Sequence, residues 1–319
     1  MRLRLGILAV ALGLVLTPLD LFAQSKLAVQ KLAEGVWAAT PERGGNVGWF
    51  LYGDGVVVVD AGNDNAIAKE MLRQIAETTG GKPVRYLVLT HAHADHSTGT
   101  REFVAAGAQV ICHEKAAGPI LAYVTQPAAG ASDPMSGKKI SPTLMTISER
   151  LILFDGTRRA DVQWLGPAHT AGDLVVLLPD EKILYSGDLA LNGRVPDLHL
   201  PDADPGAWAK TLPRLAAAPF EKMVPGHGTI GPRTGLADTL AYVRGLDEIV
   251  QRLIRSGVRE EFVDMRLREA DNRIRNVPIS EAHLANAHAV YKRRKEELSK
   301  PTPTRTPRAV TPTPRPPAS

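Results

Sequence analysis

A single cysteine, Cys112, is all the thiol that this 319-residue chain contains. That excludes an internal disulfide, a cysteine-based zinc finger and a protein-ligated iron–sulfur cluster. Long apolar runs are confined to the extreme N-terminus, which excludes a polytopic membrane protein. A sustained excess of one charge is missing as well. The formal net charge of +4 is carried by the ends: Arg2, Arg4 and Asp20 give residues 1–23 a charge of +1, and Lys300, Arg305, Arg308 and Arg315 give residues 299–319 a charge of +4. Residues 24–298 are left at −1, so no phosphate-tracking surface is indicated and no nucleic-acid partner is expected. What remains, 44% hydrophobic and 23% charged, has the balance of an ordinary globular protein with ample chain for a core. Coiled-coil, collagen-like and mostly disordered chains are excluded by the same figures.

Both ends read as segments outside the fold. A basic start, an apolar run from Leu5 to Leu16 and a small residue, Ala23, at a plausible cleavage point describe a secretory signal peptide over residues 1–23. The run is shorter than the ~20 residues a spanning helix needs, so the chain is expected to be periplasmic or secreted, without stable membrane insertion after cleavage. The competing reading is an uncleaved N-terminal anchor. Residues 299–319 contain seven prolines among Thr and Arg and are expected to form a disordered tail. The folded domain is therefore expected over residues 24–298.

Within it, short β-branched runs alternate with amphipathic helical stretches, which is an α/β pattern. Val56–Val59, Val84–Leu89, Gln109–Cys112, Leu151–Phe154, Ala160–Leu165, Leu174–Leu178, Ile183–Tyr185 and Lys222–Val224 read as strands. Ile67, Met71, Leu72 and Ile75 share a helical face that Gly80-Gly81 ends, Pro205–Ala217 is a further helix, and the chain after Pro232 is almost wholly helical. Gln126–Ser148, rich in Pro, Gly, Ser and Met, reads as a long functional or mobile loop.

The strand at Val84–Leu89 runs directly into Thr90-His91-Ala92-His93-Ala94-Asp95-His96. Three imidazoles and a carboxylate within six residues, spaced by alanines that leave room to converge, suit zinc, iron or manganese. Three other strands deliver a candidate ligand in the same way, each through a glycine or proline turn. Val162–Leu165 leads to His169, Ile183–Tyr185 to Asp188, and Met223-Val224 to His227. Five histidines and two aspartates are too many for one metal and enough for two. His91, His93 and His169 would hold the first ion and Asp95, His96 and His227 the second, with Asp188 bridging. Water between ions ~3.5–4 Å apart would be the nucleophile.

These residues resemble the metallo-β-lactamase superfamily. The matching motifs are His91-Ala-His93-Ala-Asp95-His96, Pro167-Ala-His169-Thr-Ala-Gly172, Ser186-Gly-Asp188 and Pro225-Gly-His227-Gly228, with Asp60 after the early Val56–Val59 strand, and the likeness covers residues 27–245. It implies a four-layer αβ/βα sandwich of two mixed sheets flanked by helices, with a dinuclear metal centre at one edge. Asn192-Gly-Arg194-Val-Pro196 is similar to an exported subgroup associated with sulfur oxidation and quinoprotein systems. The presence of both His96 and Asp188 is similar to glyoxalase-II-like thioesterases, lactonases and phosphodiesterases, and departs from two classes of true β-lactamase. Histidine at position 93, where flavodiiron proteins have glutamate, disfavours that redox branch.

The expected function is therefore a dinuclear-zinc hydrolase in which a metal-bridged hydroxide attacks a small ester, thioester, lactam or lactone. The competing readings are a mononuclear-iron persulfide dioxygenase, a β-lactamase and a non-catalytic metal-binding module. Asp95 is the candidate catalytic carboxylate, orienting the nucleophile and passing a proton to the leaving group. Asp60 is expected to hold the ligand loop, and Arg194 to meet a substrate carboxylate through a bidentate fork. His199 is read as incidental, and His283 and His288 as surface residues.

Overall fold

The protein is described here as a computed structural model over residues 27–125, 142–269, 274, 277 and 279–299. Residues 1–23, expected as a signal peptide, and residues 300–319, expected as a tail, lie outside these residues. Ser299, the expected start of the tail, instead closes the last helix.

Strand side chains alternate between faces, and that period sorts the valines into layers. In the first sheet the strands run in chain order: β1 (Leu27–Ala33), β2 (Val36–Pro41), β3 (Val47–Tyr52), β4 (Gly55–Val59), β5 (Val84–Val88), β6 (Gln109–His113) and β7 (Leu144–Ile147). β1 to β4 pair antiparallel, and β4 to β7 pair parallel. Val57 and Val59 of β4 point between the sheets, whereas Val56 and Val58 point outward under helices. Those helices are α1 (Asn65–Thr79), α3 (Thr100–Ala105) and α4 (Ala117–Thr125), and a short α2 (Ala94–Ser97) precedes α3. Asp64 caps α1 by accepting from the Ile67 N–H, and Gly80, at φ 69°, ends it in the left-handed conformation a side chain resists.

The second sheet has the order β13 (Gly231–Pro232), β12 (Lys222–Pro225), β11 (Ile183–Gly187), β10 (Leu174–Leu178), β9 (Arg159–Trp164) and β8 (Arg150–Phe154). Leu174, Val176 and Leu178 of β10 face the first sheet, while Val175 and Leu177 face an outer layer. That layer is built by α5 (Pro205–Ala216), α6 (Thr234–Arg255), α7 (Val263–Arg268) and α8 (Glu281–Ser299). The result is the expected four-layer αβ/βα sandwich. Cys112 is buried on the helix-facing side of the first sheet, and burial pushes its thiol up to about 11, so it stays protonated. No helix among the described residues is long and apolar enough to cross a membrane.

Two expectations are corrected. The stretch Gln126–Ser148 is not loop throughout: Leu144–Ile147 forms β7, and Val110↔Leu144 through His113↔Ile147 define its parallel register with β6. The rest of that stretch, residues 126–141, lies outside the described residues. His283 is not a surface residue but is 2% exposed, because α8 packs it against Tyr242 of α6. His288, by contrast, stays partly open beside Asp264 and Glu260.

Candidate metal centre

Both sheets end at one edge of the sandwich, where the ligand-bearing turns meet. His91 and His93 leave β5 on extended backbone, and α2 then rotates Asp95 and His96 toward a second point. His169 follows β9, Asp188 follows β11 and His227 follows β12. All seven predicted ligands converge there in three overlapping groups: His91–His93–His169, His91–His96–Asp188 and Asp95–His96–His227, with ligand atoms within 4.8 Å inside each group.

Neighbouring side chains fix which ring nitrogen faces the centre. Asp60 accepts from the Thr90 N–H at 2.8 Å, from the Thr90 hydroxyl at 2.9 Å and from His96 Nδ1 at 2.8 Å. The Thr90 hydroxyl in turn lies 3.1 Å from His91 Nδ1 and accepts from it. His93 Nε2 donates to Asp202 at 3.0 Å. The protons of His91 and His93 are thereby held on the outer nitrogens, so His91 Nε2 and His93 Nδ1 present lone pairs inward, and His96 turns Nε2 toward the centre. His91 Nε2 is buried without a hydrogen-bond partner, as is Asp188 Oδ1, although the latter lies 3.2 Å from His96 Nε2. His93 Nδ1 and His169 Nε2 stand 2.8 Å apart. Convergent, buried lone pairs with nothing to accept from are a poor arrangement for an empty core and a good one for divalent cations. The residues therefore fit a metal centre.

Electrostatics agree at His91 and His169; at His96 burial would lower the ring, but Asp188 and Asp60 outweigh it and hold it well above the usual histidine range, so metal binding there must displace a proton. Burial, reinforced by the neighbouring rings, holds His91 well below the usual histidine range and His169 down at about 4, so both are unprotonated and ready to ligate at neutral pH. Burial alone would raise Asp188, but the surrounding imidazoles outweigh it and keep the carboxylate ionised. Asp188 also occupies the middle position: Oδ1 is 3.2 Å from His96 Nε2, and Oδ2 is 3.4 Å from His169 Nε2 and 3.5 Å from His227 Nε2. Asp95 differs from the other carboxylate in being 38% exposed, with Oδ2 2.8 Å from His227 Nε2.

Glycines and one amide complete the cradle. A Cβ on Gly45 would fall inside the His96 ring, and one on Gly226 would collide with Asp188 Oδ1. Asn46, 4% exposed, donates from Nδ2 to the Pro225 and Gly228 carbonyls at 2.9 Å and so clamps the His227 turn. Trp208 packs its edge on His169 and donates from Nε1 to the Leu189 carbonyl at 3.0 Å. Sequence reasoning missed Gly45, Asn46 and Asp202, and read Gly226 only as part of the turn before His227. The Gly44-Gly45-Asn46 turn was a visible signal, but nothing in Pro201-Asp-Ala-Asp204 separates Asp202 from Asp204, which caps α5 instead. Arg194 is exposed and lines a cleft of about 810 Å³ that also contains Arg43, Asp95 and His227. His199 is not idle: its N–H and ring bond Asn286 of α8.

Residues 40–227 match the family model described as the metallo-beta-lactamase superfamily. The chain belongs to the metallo-beta-lactamase superfamily. Its histidine- and aspartate-lined edge carries three groups of side chains that could bind metal. It is 25% identical over 173 residues to the 2,4-dinitroanisole O-demethylase subunit alpha of Nocardioides sp. (strain JS1661), covering 54% of this chain and 49% of the relative. It is 28% identical over 193 residues to a metallo-beta-lactamase type 2 of Bacillus sp. (strain 170), covering 60% and 69%. The match therefore spans about half the length of the demethylase subunit. Among solved structures, a metallo-beta-lactamase from Pontibacter korlensis superimposes with a TM-score of 0.57 at 26% identity, covering 69% of this chain and 99% of that one. The sec-alkylsulfatase Pisa1 from Pseudomonas sp. shares the fold with a TM-score of 0.62 at 17% identity, covering 87% and 52%.

Asp60 carries a testable share of the centre. Its Oδ2 serves both Thr90 and His96, which an amide nitrogen cannot do. Asp60→Asn is expected to free His96 Nδ1 and weaken zinc affinity or kcat/KM about 10- to 100-fold, as losses of carboxylate–histidine support do. Competition with a chromophoric chelator reads the affinity directly, and unchanged affinity and turnover would mean that Asp60 is only a structural cap.

Proposed function

We propose that the protein is an exported dinuclear-zinc hydrolase acting on a small anionic ester, thioester, lactam or lactone. The observation that carries this reading is the position of Asp188, whose two oxygens lie 3.2 to 3.5 Å from histidines of the His91–His93–His169 group and of the Asp95–His96–His227 group. A site for one ion would leave Asp95 and His227 without purpose. Imidazole and carboxylate donors favour zinc and also accept iron or manganese. When bound, the ions supply Lewis acidity and bring the pKa of a water into the neutral range.

The chain's own residues supply the rest. Asp95 opens onto the cleft and is tied to His227, a position from which it orients the attacking water, takes its proton and returns it to the leaving group. Asp188 holds the two ligand groups in register, while Asp60 and Asp202 fix ring orientation. Arg43 and Arg194 line the cleft with no ion-pair or hydrogen-bond partner for their guanidinium groups among the described residues. Two unpaired, always-charged forks beside the reactive edge suit a substrate carboxylate or similar anion. The partner is thus a small molecule rather than nucleic acid or membrane.

The test is turnover by metal-loaded protein on a panel of aryl esters, thioesters, lactones, β-lactams and alkyl sulfates, the last two included because relatives carry those names. Hydrolysis of an acyl substrate under anaerobic conditions with zinc is expected. Arg194→Ala is expected to raise KM for the anionic member of a substrate pair about tenfold with kcat little changed, while sparing the neutral member. Oxygen-dependent turnover of a persulfide with one iron, and no hydrolysis, would overturn the reading.

A further inference from the structure

The segment that leaves Asp188 is fastened at its two ends to the centre itself. At its start, Asn192 N–H donates to the His227 carbonyl at 3.2 Å and Asn192 Nδ2 to the Thr229 carbonyl at 2.8 Å. At its end, Asp204 N–H donates to the Ala168 carbonyl, next to His169, at 2.8 Å. Between these points the segment presents Arg194 to the cleft and Asp202 to His93. It contains no regular element that would hold it in place.

Its middle is held by α8, which lies beyond the residues the family model matches. Asn286, fully buried on α8, donates from Nδ2 to the Pro196 carbonyl at 2.7 Å and to Tyr242 Oη at 3.0 Å. Its Oδ1 accepts from the His199 N–H at 3.0 Å and from His199 Nδ1 at 3.1 Å. Those four bonds exhaust what a carboxamide can make. Tyr242 Oη donates in turn to His283 Nδ1 at 3.0 Å, which closes the network inside an otherwise apolar core. Further along α8, Arg293 donates to the Pro201 carbonyl at 3.1 Å, one residue before Asp202. A polar group this deeply buried is costly unless fully bonded, and all of its bonds toward the centre go to one segment, residues 196–199.

We infer that Asn286 is a positioning residue: through Pro196 and His199 it fixes the segment that carries Arg194 and Asp202, so that α8 sets substrate affinity at a site it does not line. The substrate arm rests on the hydrolase reading above, and the exchange arm does not. Asn286→Ala leaves the His199 N–H without a partner and the Pro196 carbonyl with only the Leu198 N–H at 3.1 Å, while keeping every metal ligand and both arginines. Tyr242→Phe is the control, because it breaks the same network on the side away from the segment.

The experiment is amide hydrogen exchange of the full chain over residues 194–203, combined with kinetics on the anionic substrate. Asn286→Ala is expected to speed exchange there by an order of magnitude or more, to raise KM about tenfold with kcat within about twofold, and to add little to Arg194→Ala in the double variant. Tyr242→Phe is expected to lower thermal stability while leaving segment exchange and KM near wild type. Unchanged exchange in Asn286→Ala overturns the clamp, and so does an equal KM rise in Tyr242→Phe, which would reveal general loosening. Absence of any turnover by wild type would strike the hydrolase reading alone, and the exchange result would still decide the clamp.

Discussion

Asp188→Ala is expected to lose bound metal and at least about a thousandfold in kcat/KM, the largest effect of any single substitution in this protein. The reasoning is geometric. Asp188 is the one ligand whose two oxygens approach histidines of both the His91–His93–His169 and the Asp95–His96–His227 groups, and its carboxylate sits among the crowded His91, His96 and His169 rings. With two ions bound as proposed, its removal would leave each one donor short and take away the negative charge that would make two neighbouring dications tolerable. Loss of a supporting carboxylate behind a ligand costs about 10- to 100-fold, and loss of the shared ligand itself must exceed that. Metal analysis after extensive dialysis, paired with kcat/KM, checks it. Retention of full metal and activity would place the bridging role elsewhere.

Gly45→Ala comes next, and it changes neither charge nor ligand count. The new methyl would overlap the His96 ring, which is fully buried and pinned by Asp60 at 2.8 Å. The backbone of Gly45 cannot retreat easily, since its N–H bonds the Asp95 carbonyl at 3.2 Å and the following Asn46 is tied to the His227 turn. Something must give, and the ring is what faces the methyl. We expect the ion held by Asp95, His96 and His227 to be lost or bound at least about a hundredfold more weakly, with turnover falling in parallel, because displacements of about 1 Å in a catalytic constellation cost that much. The group His91–His93–His169 contains none of the displaced atoms and should keep its ion. Spectroscopy of a cobalt-substituted sample, which reports the two environments separately, distinguishes selective loss from collapse of the whole centre.

The legible part of this molecule follows from chemistry that local sequence can carry. The His91–His96 cluster stands out because so many ligands share six positions, and β9, β11 and β12 stand out because short apolar runs end in glycine or proline. Ligand identity and strand ends together gave the centre. The first three strands were not anticipated: Val36-Trp37-Ala38-Ala39 and Val47-Gly48-Trp49-Phe50 are buried on both faces, so they lack the polar alternation that announces a strand. β7 was hidden by the composition of the stretch leading into it. Asn46, Asp202 and Asn286 were illegible for a deeper reason. Each is an ordinary polar residue locally, and its role arises only when a distant segment is folded against it, 179 residues away for the Asn46–Pro225 bond. His283 likewise looked like part of a polar helix until Tyr242 covered it.

The central claim is that seven side chains hold two ions rather than one. Metal content per chain, measured on protein purified without added metal and on His227→Ala, tests it most directly, since His227 belongs to only one of the three groups. The account predicts two ions per wild-type chain, zinc foremost, falling to one in His227→Ala with the fold intact. One ion per wild-type chain, unchanged by His227→Ala, would contradict it.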